Sequence, residues 1–68
     1  MKDIRTIFGL KLKFFRKKKG LSQEELGFKA SLHRTYISEV EHGRRNISIV
    51  NIAKVAKALN LKIRDLFD

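Results

Sequence analysis

Between Gly20 and Gly43 the chain runs LSQEELGFKASLHRTYISEVEH, and this stretch leaves little freedom in how it folds. Ser22-Gln23-Glu24-Glu25 has the spacing of a capping box, in which the Ser22 hydroxyl takes the Glu25 amide and the Glu25 carboxylate reaches back to the Ser22 amide. Leu21 and Leu26 stand at the two positions of a hydrophobic staple, so a helix is expected to begin at Gln23. It runs to about Ala30, the chain turns at Ala30-Ser31-Leu32, and another short helix runs from about His33 to His42.

The flanking segments also read as helices. Ile4, Phe8, Leu12 and Phe15 form one stripe at helical spacing over about Ile4 to Lys19. Gly20 follows a Lys-rich last turn, which suits a helix end. Beyond Gly43-Arg44-Arg45-Asn46, Ser48 can cap a helix carrying Ile49, Ile52, Val55, Ala56 and Leu59, and a short fifth helix over about Ile63 to Phe67 closes the chain. There is no proline and no internal repeat, so the expected architecture is all-α: a compact bundle of five short helices in a single domain over residues 1–68. A chain of this size buries only ~60% of the surface its unfolded form exposes. Without cysteine it has neither a disulfide framework nor a thiolate metal site to compensate.

The formal charge is +9, unevenly spread: +7 over residues 1–20, −2 over 21–42 and +4 over 43–68. So basic a small domain points to nucleic acid or to an anionic membrane surface. The N-terminus lacks the apolar run of a signal peptide and no segment is long enough to span a bilayer, so a cytoplasmic location is expected. Catalysis is not expected, because no Ser-His-Asp set, paired carboxylates or Gly-rich phosphate loop appears. His33 and His42 lie far apart with no cysteine between them, so neither a metal nor a cofactor is expected.

Two short helices joined by a tight turn are the geometry of the helix-turn-helix. Counting Gln23 as the first of twenty positions, that pattern wants an apolar fourth residue, a small fifth, a glycine ninth, an apolar tenth, and apolar fifteenth and eighteenth. The chain offers Leu26, Gly27, Ser31, Leu32, Ile37 and Val40, and only Ser31 departs. From Leu12 to Phe67 the arrangement resembles the Cro/C1-type (XRE-like) helix-turn-helix family, whose DNA-binding domain is lambda-repressor-like. More narrowly, RTYISEVEHGRRNIS is similar to the third helix and following loop of controller proteins of restriction–modification systems. The resemblance implies a transcriptional regulator that binds a palindromic operator in double-stranded DNA as a homodimer and regulates its own gene with the endonuclease gene. It also implies RNA polymerase as a further partner, and no membrane. On the same fold the alternatives are an antitoxin or a phage-type repressor. From another class, a membrane-active basic amphipathic peptide is disfavoured by the capping box and by the acidic residues of the central unit.

At ~100° per residue, Ile37 and Val40 set the inward face of the third helix, and Glu41 falls beside them. A half-buried carboxylate needs a partner, and Arg16, at the edge of the first stripe, is the candidate; the resemblance implies the same ion pair. Thr35, Ser38, Glu39 and His42 cluster outward, flanked by Arg34 and Tyr36. Arg34 and Arg45 are candidates for bidentate contact with guanine, and Ser38 for a base edge. Thr35 suits a thymine methyl or a phosphate. Tyr36 can donate to a phosphate or pack against the core, and Asn46 can contact a phosphate or shape the loop. Gln23, at a helix start, reads as a phosphate anchor. Glu39 has two readings: an acceptor for a cytosine amino group, or a charge that lowers non-specific affinity. The run Arg16-Lys17-Lys18-Lys19 reads as a solvated face that adds to the long-range field. Ile47, Val50, Leu61, Ile63 and Phe67 exceed what one small core needs and are candidates for a dimer interface.

Overall fold

The computed structural model describes residues 3–68. Each helix begins where a side chain can take its free amides. In α1 (Ile4–Lys18) the Asp3 carboxylate accepts from the Arg5 amide at 2.8 Å. Its hydrogen bonds to the Arg5 guanidinium hold the Asp3 pKa below its ordinary 3.8, at about 2. In α2 (Gln23–Ala30) both arms of the capping box close: Glu25 N donates to Ser22 Oγ at 3.0 Å, and Ser22 N to Glu25 Oε1 at 2.8 Å. The Ser22 amide in turn lowers the Glu25 pKa. α3 (Arg34–Glu41) is capped by an imidazole, with His33 Nδ1 accepting from the Thr35 amide at 3.0 Å. α4 (Ile49–Ala58) uses Ser48, whose hydroxyl takes the Asn51 amide at 3.1 Å.

The expected fifth helix is corrected. Ile63–Leu66 forms a single 3₁₀ turn, started by the Lys62 amide donating to Asp65 Oδ2 at 2.9 Å. So short a segment cannot offset the cost of nucleating an α-helix, and the tighter 3₁₀ bonds suffice for one turn.

All four helices stop in the same way. Gly20, Ser31, Gly43 and Asn60 take positive φ of 74°, 59°, 73° and 57°. In each case the following amide reaches back to a carbonyl five residues earlier: Leu21 to Arg16, Leu32 to Gly27, Arg44 to Glu39 and Leu61 to Ala56, at 2.8 to 3.1 Å. Ser31 and Asn60 accept a backbone conformation in which a Cβ is unfavourable. Asparagine tolerates it through its short polar side chain, and Ser31 has the larger residual cost.

α3 packs on both α1 and α2, α2 also packs on α4, and the 3₁₀ turn closes against α4 and α1. The core is Phe8, Leu12, Leu26, Ala30, Ile37, Val40, Val55, Ala56, Leu59 and Leu66. Two close approaches fix the packing. A Cβ on Gly27 would lie 2.5 Å from the Leu32 carbonyl oxygen, and one on Gly9 would strike the Val40 carbonyl and lie 2.7 Å from that of Glu41. Two members of the expected apolar stripes lie outside the core: Ile4 and Ile49 are 60% and 82% exposed. Among the described residues there is no strand, no His/Cys/Asp/Glu group able to hold a metal ion, and no helix long and apolar enough to cross a membrane.

Candidate nucleic-acid interface

The α2–turn–α3 unit places α3 with one face in the core and one outside. Ile37, Val40 and Glu41 are buried, whereas Arg34 and Thr35 are exposed and Ser38 and Glu39 are half-buried. The buried carboxylate is fully engaged. Arg16 donates through Nε to Glu41 Oε2 at 2.6 Å and through Nη2 to Oε1 at 3.0 Å, and its Nη1 reaches the Leu21 carbonyl at 2.8 Å. The two side chains are 8% and 1% exposed, so this bidentate pair ties α1 to the end of α3 in a nearly dry site. No buried side-chain nitrogen or oxygen among the described residues lacks a hydrogen-bond partner.

Gln23 differs from its reading as a phosphate anchor. Its Nε2 turns inward and donates to Glu41 Oε1 at 3.1 Å, joining the ion pair and holding the start of α2 against α3. What remains at that position for an anion is the first-turn backbone amide, which has no acceptor within its helix.

Tyr36 is half-buried and packs against the core. Its hydroxyl accepts from Asn51 Nδ2 of α4 at 3.1 Å, so the ring is anchored from below. Over that ring, 5.1 Å from its centroid, lies the guanidinium carbon of Arg45. Arg45 Nε donates to Glu39 Oε1 at 2.7 Å, and this hydrogen bond raises the Arg45 pKa above its ordinary value. Glu39 and Arg45, separate candidates by sequence, therefore form one unit with Tyr36. Asn46, next in the loop, is exposed. His42 uses Nδ1 on the Ser38 carbonyl at 2.7 Å, closing the last turn of α3.

The candidate interface between copies divides in two. Ile47 and Leu61 are partly buried and pack on the core, while Val50, Ile63 and Phe67 are 64%, 45% and 43% exposed. Phe67 also stacks near Phe8, with ring centroids 5.2 Å apart. Ile49, next to Val50 in the chain, is exposed as well, an apolar side chain beyond those expected from the sequence. Lys17, Lys18 and Lys19 are exposed at the end of α1.

The architecture and this exposed helix face define a class. A helix-turn-helix family profile matches residues 12–66, and the chain belongs to the helix-turn-helix family of transcription regulators. Within it, the chain is 49% identical over 67 residues to control protein C.BamHI of Bacillus amyloliquefaciens, covering 97% of this chain and 83% of that one. Its structure is similar to that of the restriction–modification controller protein C.AhdI from Aeromonas hydrophila, with a TM-score of 0.92, 49% identity and coverage of 93% and 96% of the two chains. It is also similar to the biofilm regulator SinR, of Bacillus subtilis, in a structure containing DNA, with a TM-score of 0.85, 35% identity and coverage of 90% and 98%. These relatives are control proteins and transcription regulators rather than enzymes.

Proposed function

We propose that this chain is the controller of a restriction–modification system, acting by binding a palindromic operator in double-stranded DNA as a homodimer. The observation that carries this reading is the division of α3: a buried face locked by the Arg16–Glu41 pair, and an outward face on which Arg34, Thr35, Ser38 and the Glu39–Arg45 unit are gathered. A helix held this way fits a major groove, with side chains able to reach base edges. Arg34, Thr35, Ser38 and Arg45 supply sequence choice, and Tyr36, Asn46 and the first amide of α2 suit the phosphates that flank it. Similarity to the control protein C.BamHI and to SinR in its DNA-containing structure supports the same reading.

Dimerisation is assigned to the surface of Ile47, Val50, Leu61, Ile63 and Phe67, extended by Ile49. An exposed apolar patch on so basic a chain is explained most simply by a second copy burying it. Two-fold pairing would space the two α3 helices about one DNA turn, ~34 Å, apart. The position of the site relative to the promoter then decides whether RNA polymerase is recruited or blocked.

The test is selection of bound sequences from a random duplex pool at two salt concentrations. The expected result is an enriched palindrome, with an affinity that falls linearly on a logarithmic salt scale according to the number of phosphates contacted. Binding with no enriched palindrome would overturn the reading.

A further inference from the structure

We infer that Glu39 is a positioning residue for Arg45, fixing its guanidinium so that the two terminal Nη groups present a ready fork to one guanine in each half of the operator. The inference rests on the DNA-binding reading above and assigns Glu39 a role within it.

The geometry carries the argument. Arg45 lies in the loop after α3, where an arginine would ordinarily be free to sweep a wide volume. Two constraints hold it here. The Arg44 amide bonds the Glu39 carbonyl at 2.9 Å, so the backbone folds back over the last turn of α3 immediately before Arg45. The side chain is then clamped by Glu39 at Nε, 2.7 Å, and by the Tyr36 ring beneath the guanidinium plane at 5.1 Å. Tyr36 is itself held by Asn51 of α4 at 3.1 Å, so the clamp connects to the rigid core rather than to another mobile side chain. Tyr36 and Glu39 are three residues apart on one helix, which places both under the same guanidinium.

The bond to Glu39 uses Nε, the inner nitrogen of the fork. With Nε engaged by the carboxylate, the end-on pair of N–H bonds, one from each Nη, remains as two parallel donors. Guanine presents two acceptors, O6 and N7, on its major-groove edge, whereas adenine presents one acceptor and one donor there. The fork therefore selects guanine. Holding it in place beforehand removes part of the ordering cost that a free loop arginine would meet on binding.

The same geometry turns Glu39 Oε1 toward Arg45, so the positioning role, unlike cytosine reading, accounts for the contact seen in the free protein. A role in fold stability is also poorly supported. The two side chains are 51% and 37% exposed, and such pairs contribute only about 0–1 kcal/mol.

The experiment is a cycle of Glu39→Gln, Arg45→Ala and the double variant. Affinity is measured for the duplex selected with the wild-type protein, for versions carrying 7-deazaguanine at each guanine in turn, and for an unrelated duplex; melting of each variant is recorded alongside. The wild type should lose about tenfold in affinity when N7 is removed from one guanine per half-site. Glu39→Gln should lose most of that discrimination and several-fold of the ratio of selected-duplex to unrelated-duplex affinity, with melting unchanged, and should not lower that ratio further in the Arg45→Ala background. Unchanged guanine discrimination in Glu39→Gln would overturn the inference. So would tighter binding to every duplex with discrimination retained, which would make Glu39 a phosphate repeller, or an equally large effect without Arg45. A wild-type protein with no preferred duplex would overturn the DNA-binding reading and this inference with it.

Discussion

Two glutamates on the same short helix have opposite surroundings. Glu41 is buried, meets Arg16 through both oxygens and takes a third hydrogen bond from Gln23. Glu39, two residues earlier, meets Arg45 through one oxygen at a site open to water. The first pair spans two helices and cannot be broken without leaving a charge in a dry interior. The second spans a loop, and either partner can be rehydrated at little cost. The same kind of ion pair thus does architectural work on one side of α3 and orients a contact on the other, with burial and the number of hydrogen bonds setting the difference.

The largest expected effect comes from breaking the buried pair. Glu41→Ala or Arg16→Ala should lower stability by about 3–5 kcal/mol in denaturant unfolding. A chain of this length has on the order of 3–10 kcal/mol in total, so either variant should be largely unfolded when warm. A loss below about 1 kcal/mol would mean that the pair is not dry in solution. Next comes the backbone contact that supports it. Gly9→Ala pushes a methyl into the carbonyls of Val40 and Glu41 and should cost about 1–3 kcal/mol, read as a lower thermal midpoint.

Ser31→Gly works in the opposite direction. Relieving the left-handed serine should stabilise by about 1 kcal/mol, with DNA binding unchanged because Ser31 caps α2 away from the outward face of α3. A destabilised Ser31→Gly protein would show that the serine side chain compensates for its backbone. The smallest expected effect belongs to the exposed Asp3–Arg5 contact. The folded pKa of Asp3 is lowered, so its contribution is present above about pH 3.8 and is lost as pH falls through about 2. Asp3→Asn should therefore flatten the acid limb of the stability–pH curve between about pH 4 and 2. An identical limb in wild type and variant would contradict that linkage.

Much of the helical layout could be read from local chemistry. The capping box, Ser48 and the glycines at positions 20 and 43 mark helix ends, because caps and left-handed stops depend on a few neighbouring residues. The side of α3 on which Glu41 lies follows from periodicity; its partner is 25 residues away, and Arg16 was legible only through its place at the edge of the first apolar stripe, together with the resemblance. The Glu39–Arg45 clamp was not legible. Periodicity stops at Gly43, and nothing in a helical wheel says that the loop doubles back over Glu39. Gly9 was missed for a similar reason, since a close approach between helices leaves no local mark beyond the glycine itself. Ile4 and Ile49 continue their stripes by spacing, yet they fall at helix starts, past the edge of the small core. His33 as a cap had no usual signature, because an imidazole nitrogen stands in for the hydroxyl or carboxylate expected there.

The division of α3 into a core face and a reading face is tested most directly by following backbone and arginine side-chain resonances while the selected duplex is titrated in. The largest shifts are expected at Arg34, Thr35, Ser38, Glu39, Arg45 and Asn46, with Lys17, Lys18 and Lys19 little changed despite their charge. Shifts concentrated on that lysine run, with the outward face of α3 undisturbed, would contradict it.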